Sequence, residues 1–250
     1  VPAILGPFAN ALVQWALLPL NAVVVDVGCG TGAATRFAAE KLGASGKVIG
    51  VDVNQGMLEV AQSLPAIDGA PIEWRQDSIY DLSLADESAD VVLCAQSLQF
   101  MPQRVDALRH MRRILKTGGS AYISLWCPID ESPYFDALVK AVAKHINPET
   151  AAGLGSAFNL SDLTTIRDVI QQAEFADIKT TAVELALDLP PIDDFVPKHI
   201  HATPMGAGYD AAPLAAQQAI LHDLSQQLAD YQTDSGMRVP FRSYLIRAVK

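Results

Sequence analysis

Cations are scarce in this chain. Lys and Arg together number 18 against 28 Asp and Glu, giving a net charge of −10 over 250 residues. Phosphate binding needs a basic surface that releases counterions, so the deficit argues against a nucleic-acid partner. The single basic stripe, Arg109, Arg112, Arg113 and Lys116, reads as the solvated face of a helix. Cysteine is equally sparse. Cys29, Cys94 and Cys127 are odd in number and widely spaced, with no CxxC and no Cys/His cluster. That excludes a disulfide framework and leaves each thiol as a small buried apolar group. The expectation is a reduced, cytoplasmic protein without a metal site. Long hydrophobic runs are missing too. No stretch reaches the ~18 apolar residues of a membrane span. Residues 1–20 are apolar but interrupted by Asn10, Gln14 and Pro19, and they lack the basic start of a secretory signal. No integral membrane segment is expected. The first residue is Val, which leaves open what precedes it.

What is present is a large apolar fraction, 50% of the chain, with 18% charged residues. A sizeable core follows, and the length suits one α/β domain spanning 1–250. Residues 1–20 read as a helical lead-in, with the helix over 2–18. The run AVVVDV, 22–27, is apolar and β-branched, as expected of a strand covered on both faces. Further strands are predicted over 47–53, 72–75, 89–94 and 120–126, and helices over 33–42 and 55–64. Val105, Leu108, Met111 and Leu115 mark one face of a helix, which Gly118-Gly119 should end. Alternating strands and helices imply a mostly parallel sheet with helices on both faces. Beyond it, Ser132-Pro133 starts a helix striped by Phe135, Leu138, Val142 and Ile146. Ser161 opens another, striped by Leu163, Ile166, Ile170 and Ala173. Residues 178–187 and 241–249 read as late strands. The interval 190–238 is too long for a structureless loop. It reads as an inserted helical cap whose helix carries Leu214, Leu221, Leu224, Leu228 and Tyr231.

The chemistry concentrates in Asp26-Val27-Gly28-Cys29-Gly30-Thr31-Gly32. A buried strand ends in glycines, and a helix begins directly after them. Glycine permits positive φ and close approach of a ligand, and the helix start exposes unsatisfied N–H groups. Such a turn at the carboxyl end of a first parallel strand forms a nucleotide-type crevice. The segment also satisfies the dinucleotide pattern GxGxxG/A, and Asp52 at the end of the second strand suits an adenosine ribose in either case. Three features weigh against a dinucleotide: the acidic Asp26 two positions before the first glycine, Asp77 after the third strand, and the two late strands that end the sheet.

DVGCGTG, then GVDVN, then RQDSIYDLSLADESADVVLCAQSLQF, then RRILKTGGSAYIS resemble the successive motifs of class I S-adenosylmethionine-dependent methyltransferases. The group typified by ubiquinone and menaquinone biosynthesis methyltransferases is nearest. The resemblance covers residues 22–126, the cofactor-binding core. It implies a Rossmann-like, doubly wound seven-stranded sheet in the order 3-2-1-4-5-7-6, strand 7 antiparallel. It implies S-adenosylmethionine as cofactor and S-adenosylhomocysteine as product. Asp26 and the backbone of Gly28, Gly30 and Gly32, with Cys29 in the same turn, would hold the methionine part. Asp52 would take the ribose hydroxyls, with Val53 beside the adenine. Asp77 would bind the adenine amino group, Ser78 would add backbone contacts, and the Gln96 carbonyl would face the methionine ammonium. The chain departs from many relatives at Leu98-Gln99-Phe100, where His often replaces Gln99.

The residues outside this core carry no comparable motif. The expected acceptor is a small, largely apolar molecule, held by the carboxyl edge of the sheet and the segment 190–236. His199 and His201 are the candidate bases, each more simply read as a packing or surface histidine. The alternatives are an NAD(P)-dependent oxidoreductase using the same glycine loop and a non-catalytic adenosyl-binding module. Oligomeric state is not encoded in any pattern here.

Overall fold

The computed structural model describes residues 2–250. In chain order its elements are α1 (Pro2–Trp15), β1 (Val23–Val27), α2 (Ala33–Leu42), β2 (Lys47–Asp52), α3 (Gln55–Ser63), β3 (Ile72–Gln76) and β4 (Ala89–Ala95). There follow α4 (Arg104–Ile114), β5 (Leu115–Trp126), α5 (Pro133–His145), α6 (Pro148–Gly155), α7 (Leu163–Gln172) and β6 (Ala176–Leu189). The chain closes with α8 (Ile192–His201), α9 (Gly206–Asp210), α10 (Leu214–Gln227), β7 (Gln232–Thr233) and β8 (Gly236–Val249). Two compact units emerge. One comprises Leu5–Leu125, Asp162–Val183 and Tyr244–Lys250. The other comprises the residues up to Ile4, Trp126–Ser161 and Glu184–Ser243.

The strands form a sheet in the order β3-β2-β1-β4-β5-β8-β6, with β7 paired to β8. The β1–β2, β1–β4, β2–β3 and β4–β5 pairs are parallel, and β8 runs antiparallel. The expected strand order therefore stands. The count rises by one because two residues, Gln232 and Thr233, pair with Met237 and Gly236 as a short hairpin. Nothing but local pairing marks so short a strand. Parallel pairing sends the carboxyl ends of β1, β2, β3 and β4 to one edge. The Gly28 turn, Asp52, Asp77 and Gln96 follow those ends, and this topology is what gathers them.

In the first unit Val24, Val48, Val91 and Leu93 from the strands pack with Leu12 and Val13 of α1 and with Ala38, Ala39 and Leu42 of α2. The alanines bring α2 close to the sheet. Three expectations are corrected here. Gly118-Gly119 does not end the helix. α4 stops at Ile114 and the glycines lie inside β5, where Ala89 and Val91 of β4 face Leu115 and Ser120. The extra residues form a bulge, with Gly118 at φ 79°, a conformation that glycine accepts without strain. In α10 the buried stripe is Ile220, Leu224 and the following Leu228, while Leu214 is exposed. In α7, likewise, Ile166 and Ile170 are buried and Leu163 is exposed. Helices α6, α8 and α9 carry no pattern read from the sequence. α8 contains Pro197, ordinarily a helix breaker.

Candidate cofactor site

The turn after β1 is drawn onto β2, because the Gly28 and Cys29 amides both donate to the Val51 carbonyl, at 2.8 and 3.0 Å. Its three glycines have positive φ, 67°, 55° and 83° at Gly28, Gly30 and Gly32. Each is required for a different reason. A Cβ on Gly28 would lie 1.9 Å from Ser97 Oγ, and one on Gly32 would lie 2.3 Å from the Trp74 ring. Trp74 also covers Gly50, so the indole sits in a notch made by two glycines. A Cβ on Gly30 would meet nothing within 4 Å. Of the three, Gly30 is the position where the backbone lies open to a ligand.

Asp52 ends β2 with both carboxylate oxygens aimed at backbone donors. Oδ2 accepts from Gly30 N–H and Oδ1 from Asn54 N–H, each at 2.8 Å. A carboxylate oxygen accepts more than one bond, so capacity for further donors remains. Asp77 is similarly occupied, with Oδ1 accepting from Ser78 N–H and Oδ2 from Ser83 N–H and Oγ–H. Burial opposes its ionisation, but the bonds from Ser83 and Ser78 outweigh it and hold the carboxyl below the usual range. Ser78 caps a single 3-10 turn over Ile79–Asp81 by accepting from Tyr80 N–H. Beneath the turn, Asp26 is fully buried. Its Oδ2 accepts from Thr35 Oγ–H at 2.6 Å, while Oδ1 has no partner among the described residues. Burial pushes its carboxyl up to about 6, against the Thr35 hydrogen bonds. Burial also raises the Cys29 thiol, so it stays protonated.

A cavity of about 210 Å³ lies beside these groups. Gly28, Asp52, Val53, Asp77 and Ser78 line it, as do Ile79, Tyr80, Ser97, Phe100, Met101 and Pro102. Asp26, Cys29, Gly30, Gly32 and Gln96 stand outside its wall. The sequence reading missed Ser97, Met101, Pro102 and Tyr80. The only signal was their position just past β4 and β3, at the edge where sheets of this kind bind ligands. A larger hollow, about 550 Å³, is ringed by Arg109, Arg112, Arg113 and Lys250. Its cations are already engaged: Arg113 donates to Leu82 O, Leu84 O and Asp86, and Arg112 to Glu174 O. That hollow offers no glycine turn and no strand-end acid, so the smaller cavity is the candidate site.

The two candidate histidines lie in the other unit. His199 is buried, its Nδ1 is 2.9 Å from the Tyr134 hydroxyl, and its ring stacks on Phe195. Burial lowers its pKa to about 4. His201 is exposed and lies between two acceptors, Pro197 O at Nδ1 and Asp210 Oδ1 at Nε2, both at 2.6 Å. A neutral imidazole donates only once, so two acceptors favour the doubly protonated ring, and the Asp210 bond raises its pKa. Among the described residues no group of three or more His, Cys, Asp or Glu could hold a metal ion, and no helix is long and apolar enough to cross a membrane.

Comparison with known proteins bears on this geometry. Residues 24–119 match the family described as "Methyltransferase domain". The 2-phytyl-1,4-naphthoquinone methyltransferase of Thermosynechococcus vestitus is 34% identical over 112 residues, 44% of this chain and 49% of that protein. The demethylmenaquinone methyltransferase of Staphylococcus carnosus is 30% identical over 166 residues, 62% of this chain and 68% of the relative. The match spans about half the length of the naphthoquinone methyltransferases. A solved structure from an antibiotic biosynthesis pathway of Anabaena variabilis has a TM-score of 0.64 over 96% of both chains at 17% identity, a likeness of fold. The matched residues 24–119 contain all the motifs gathered at this sheet edge, and the chain belongs to the class I S-adenosylmethionine-dependent methyltransferases, related to those of quinone biosynthesis.

Proposed function

We propose that this chain transfers a methyl group from S-adenosylmethionine to a small, largely apolar molecule. The observation that carries the reading is the open Gly30 backbone joined to the Asp52 carboxylate beside one cavity. The residues fit such a cofactor. Gly30 leaves room for close approach, and Asp52 retains acceptor capacity for hydroxyls. The unpartnered Oδ1 of Asp26 places negative potential under the turn, suited to a cationic group.

In this reading Asp52 takes the ribose hydroxyls, Val53 flanks the adenine, and Asp77 with the Ser78 backbone meets its amino edge. Asp26 and the turn Gly28, Cys29, Gly30 and Gly32 hold the methionine part, and the Gln96 carbonyl its ammonium. When bound, the cofactor supplies an already activated sulfonium methyl. The chain then has to align the acceptor with the S–CH₃ bond and exclude water. No general base is assigned, since His199 is held by Tyr134 and His201 by Asp210. The relatives' names, methyltransferases of phytyl naphthoquinone and demethylmenaquinone, support an acceptor with an apolar ring system. The net charge of −10 supports a non-nucleic-acid substrate. Three buried free cysteines support a cytoplasmic location.

Calorimetry and thermal shift with S-adenosylhomocysteine, NAD and NADP test the reading. A ligand that binds only the folded state stabilises it by mass action, about 2.7 kcal/mol at a hundredfold excess over Kd. S-adenosylhomocysteine should raise the Tm and the nicotinamide cofactors should not. The reverse pattern replaces the methyltransferase by an oxidoreductase.

A further inference from the structure

At the carboxyl end of β4 the chain adopts a conformation that a glutamine rarely accepts. Gln96 has φ 51° and is buried. Such left-handed residues persist only where their surroundings over-determine them. Here the Gln96 amide donates to the Ser124 carbonyl and lies 3.2 Å from Ser124 Oγ, both on β5. The Gln96 side chain is held as well: its Oε1 accepts from Nε2 of Gln99, which is itself almost wholly buried. Gln99 sits in a single 3-10 turn, Leu98–Phe100, and its own carbonyl accepts from Arg104 at 3.2 Å. The result of the Gln96 turn is visible one residue later. Ser97 lies against Gly28, where no Cβ fits, and Ser97, Phe100, Met101 and Pro102 form one side of the cavity.

We propose that Gln99 is a positioning residue for the cofactor site, clamping the Gln96 side chain so that the segment after β4 stays seated on the glycine turn. Gln99 stands outside the cavity wall and acts through Gln96. The inference rests on the cofactor reading above, and it adds a role for a residue that touches no ligand in that reading. Gln99 is suited to the task because a buried primary amide carries donors and an acceptor without charge, so it locks a neighbour at any pH. A thioether of similar length fills the same space and loses the bond.

Calorimetric titration with S-adenosylhomocysteine on the wild-type chain, Gln99→Met, Gln96→Met, the double variant and Gln99→Glu tests this, with the Tm of each unliganded protein as control. The expected result is about tenfold weaker affinity in each Met variant, with the double variant no weaker than either single one. Gln99→Glu should lie nearer wild type, because the Gln96 amide can turn and donate to the carboxylate. The unliganded Tm should not rank the variants in the same order, which separates positioning from general destabilisation. Affinity of Gln99→Met within twofold of wild type, or single effects that multiply in the double variant, overturns the clamp while leaving the cofactor reading intact. Wild-type protein that fails to bind S-adenosylhomocysteine overturns the cofactor reading and this inference with it.

Discussion

A methyl group added at Gly30 meets open space, and one added at Gly32 meets an indole ring. The same substitution should therefore act on different properties. Gly30→Ala carries chiefly the cost of a left-handed alanine, about 1–2 kcal/mol. Its Cβ stands where the ligand would approach, so S-adenosylhomocysteine affinity should fall at least roughly tenfold, the equivalent of one lost hydrogen bond. Gly32→Ala carries the same backbone cost and adds an overpacking cost of about 1–3 kcal/mol against Trp74. It should be the less stable protein, with a Tm lower by several degrees. Paired thermal melts and titrations check both. If Gly32→Ala melts with Gly30→Ala, the Trp74 notch does not constrain this position. The strand-end acids were legible in the sequence, because a carboxylate after a buried strand stands out. Their partners were not. Ser83 bonding Asp77, and Gly30 bonding Asp52, depend on loop paths that no spacing encodes.

Among the elements, α5 and α8 show how a histidine in a helix becomes core. Tyr134 of α5 is fully buried, and His199 of α8 packs against both it and Phe195, which also touch each other. The reading of His199 as a packing or surface residue rested on its lying outside every recognised motif, since a lone histidine there is more simply structural. Recognising α8 itself required the structure, since Pro197 interrupts the pattern. Burial that lowers the His199 pKa from 6.5 to about 4 has a definite sign. The unfolded chain binds a proton below about 6.5 and the folded one does not until about 4. The contribution is whole above pH 6.5 and is lost as pH falls toward 4, up to about 3 kcal/mol. Thermal melts between pH 7 and 4.5 should show a falling Tm, and His199→Phe should flatten part of that slope. An unchanged slope in the variant assigns the acid sensitivity to other groups. His201 works in the opposite direction: its raised pKa stabilises at low pH and fades as pH rises through it.

At the scale of the molecule, every residue of the cavity wall belongs to one of the two compact units. Hydrogen exchange should reflect that. Saturating S-adenosylhomocysteine should slow amides in 26–32, 52–54, 77–80 and 96–102 more than those of α10, which belongs to the other unit. Uniform protection along the chain would contradict a site built in one unit.

The family resemblance implied the sheet order with its antiparallel strand, and the sequence by itself determined the alternating strands, the glycine turn and the acids at the strand ends. Each depends on local signals: apolar runs, helix periodicity, and glycines next to a strand. Only the tertiary structure decided which glycine faces a ligand and which faces Trp74. The same holds for the bulge at Gly118-Gly119, the hairpin of Gln232 and Thr233, and the seating of Ser97 on Gly28. These rest on contacts between residues far apart in the chain or on pairing too short to leave a period. Positive φ at a glycine is written locally, but the atom that would occupy its missing side chain arrives from another strand.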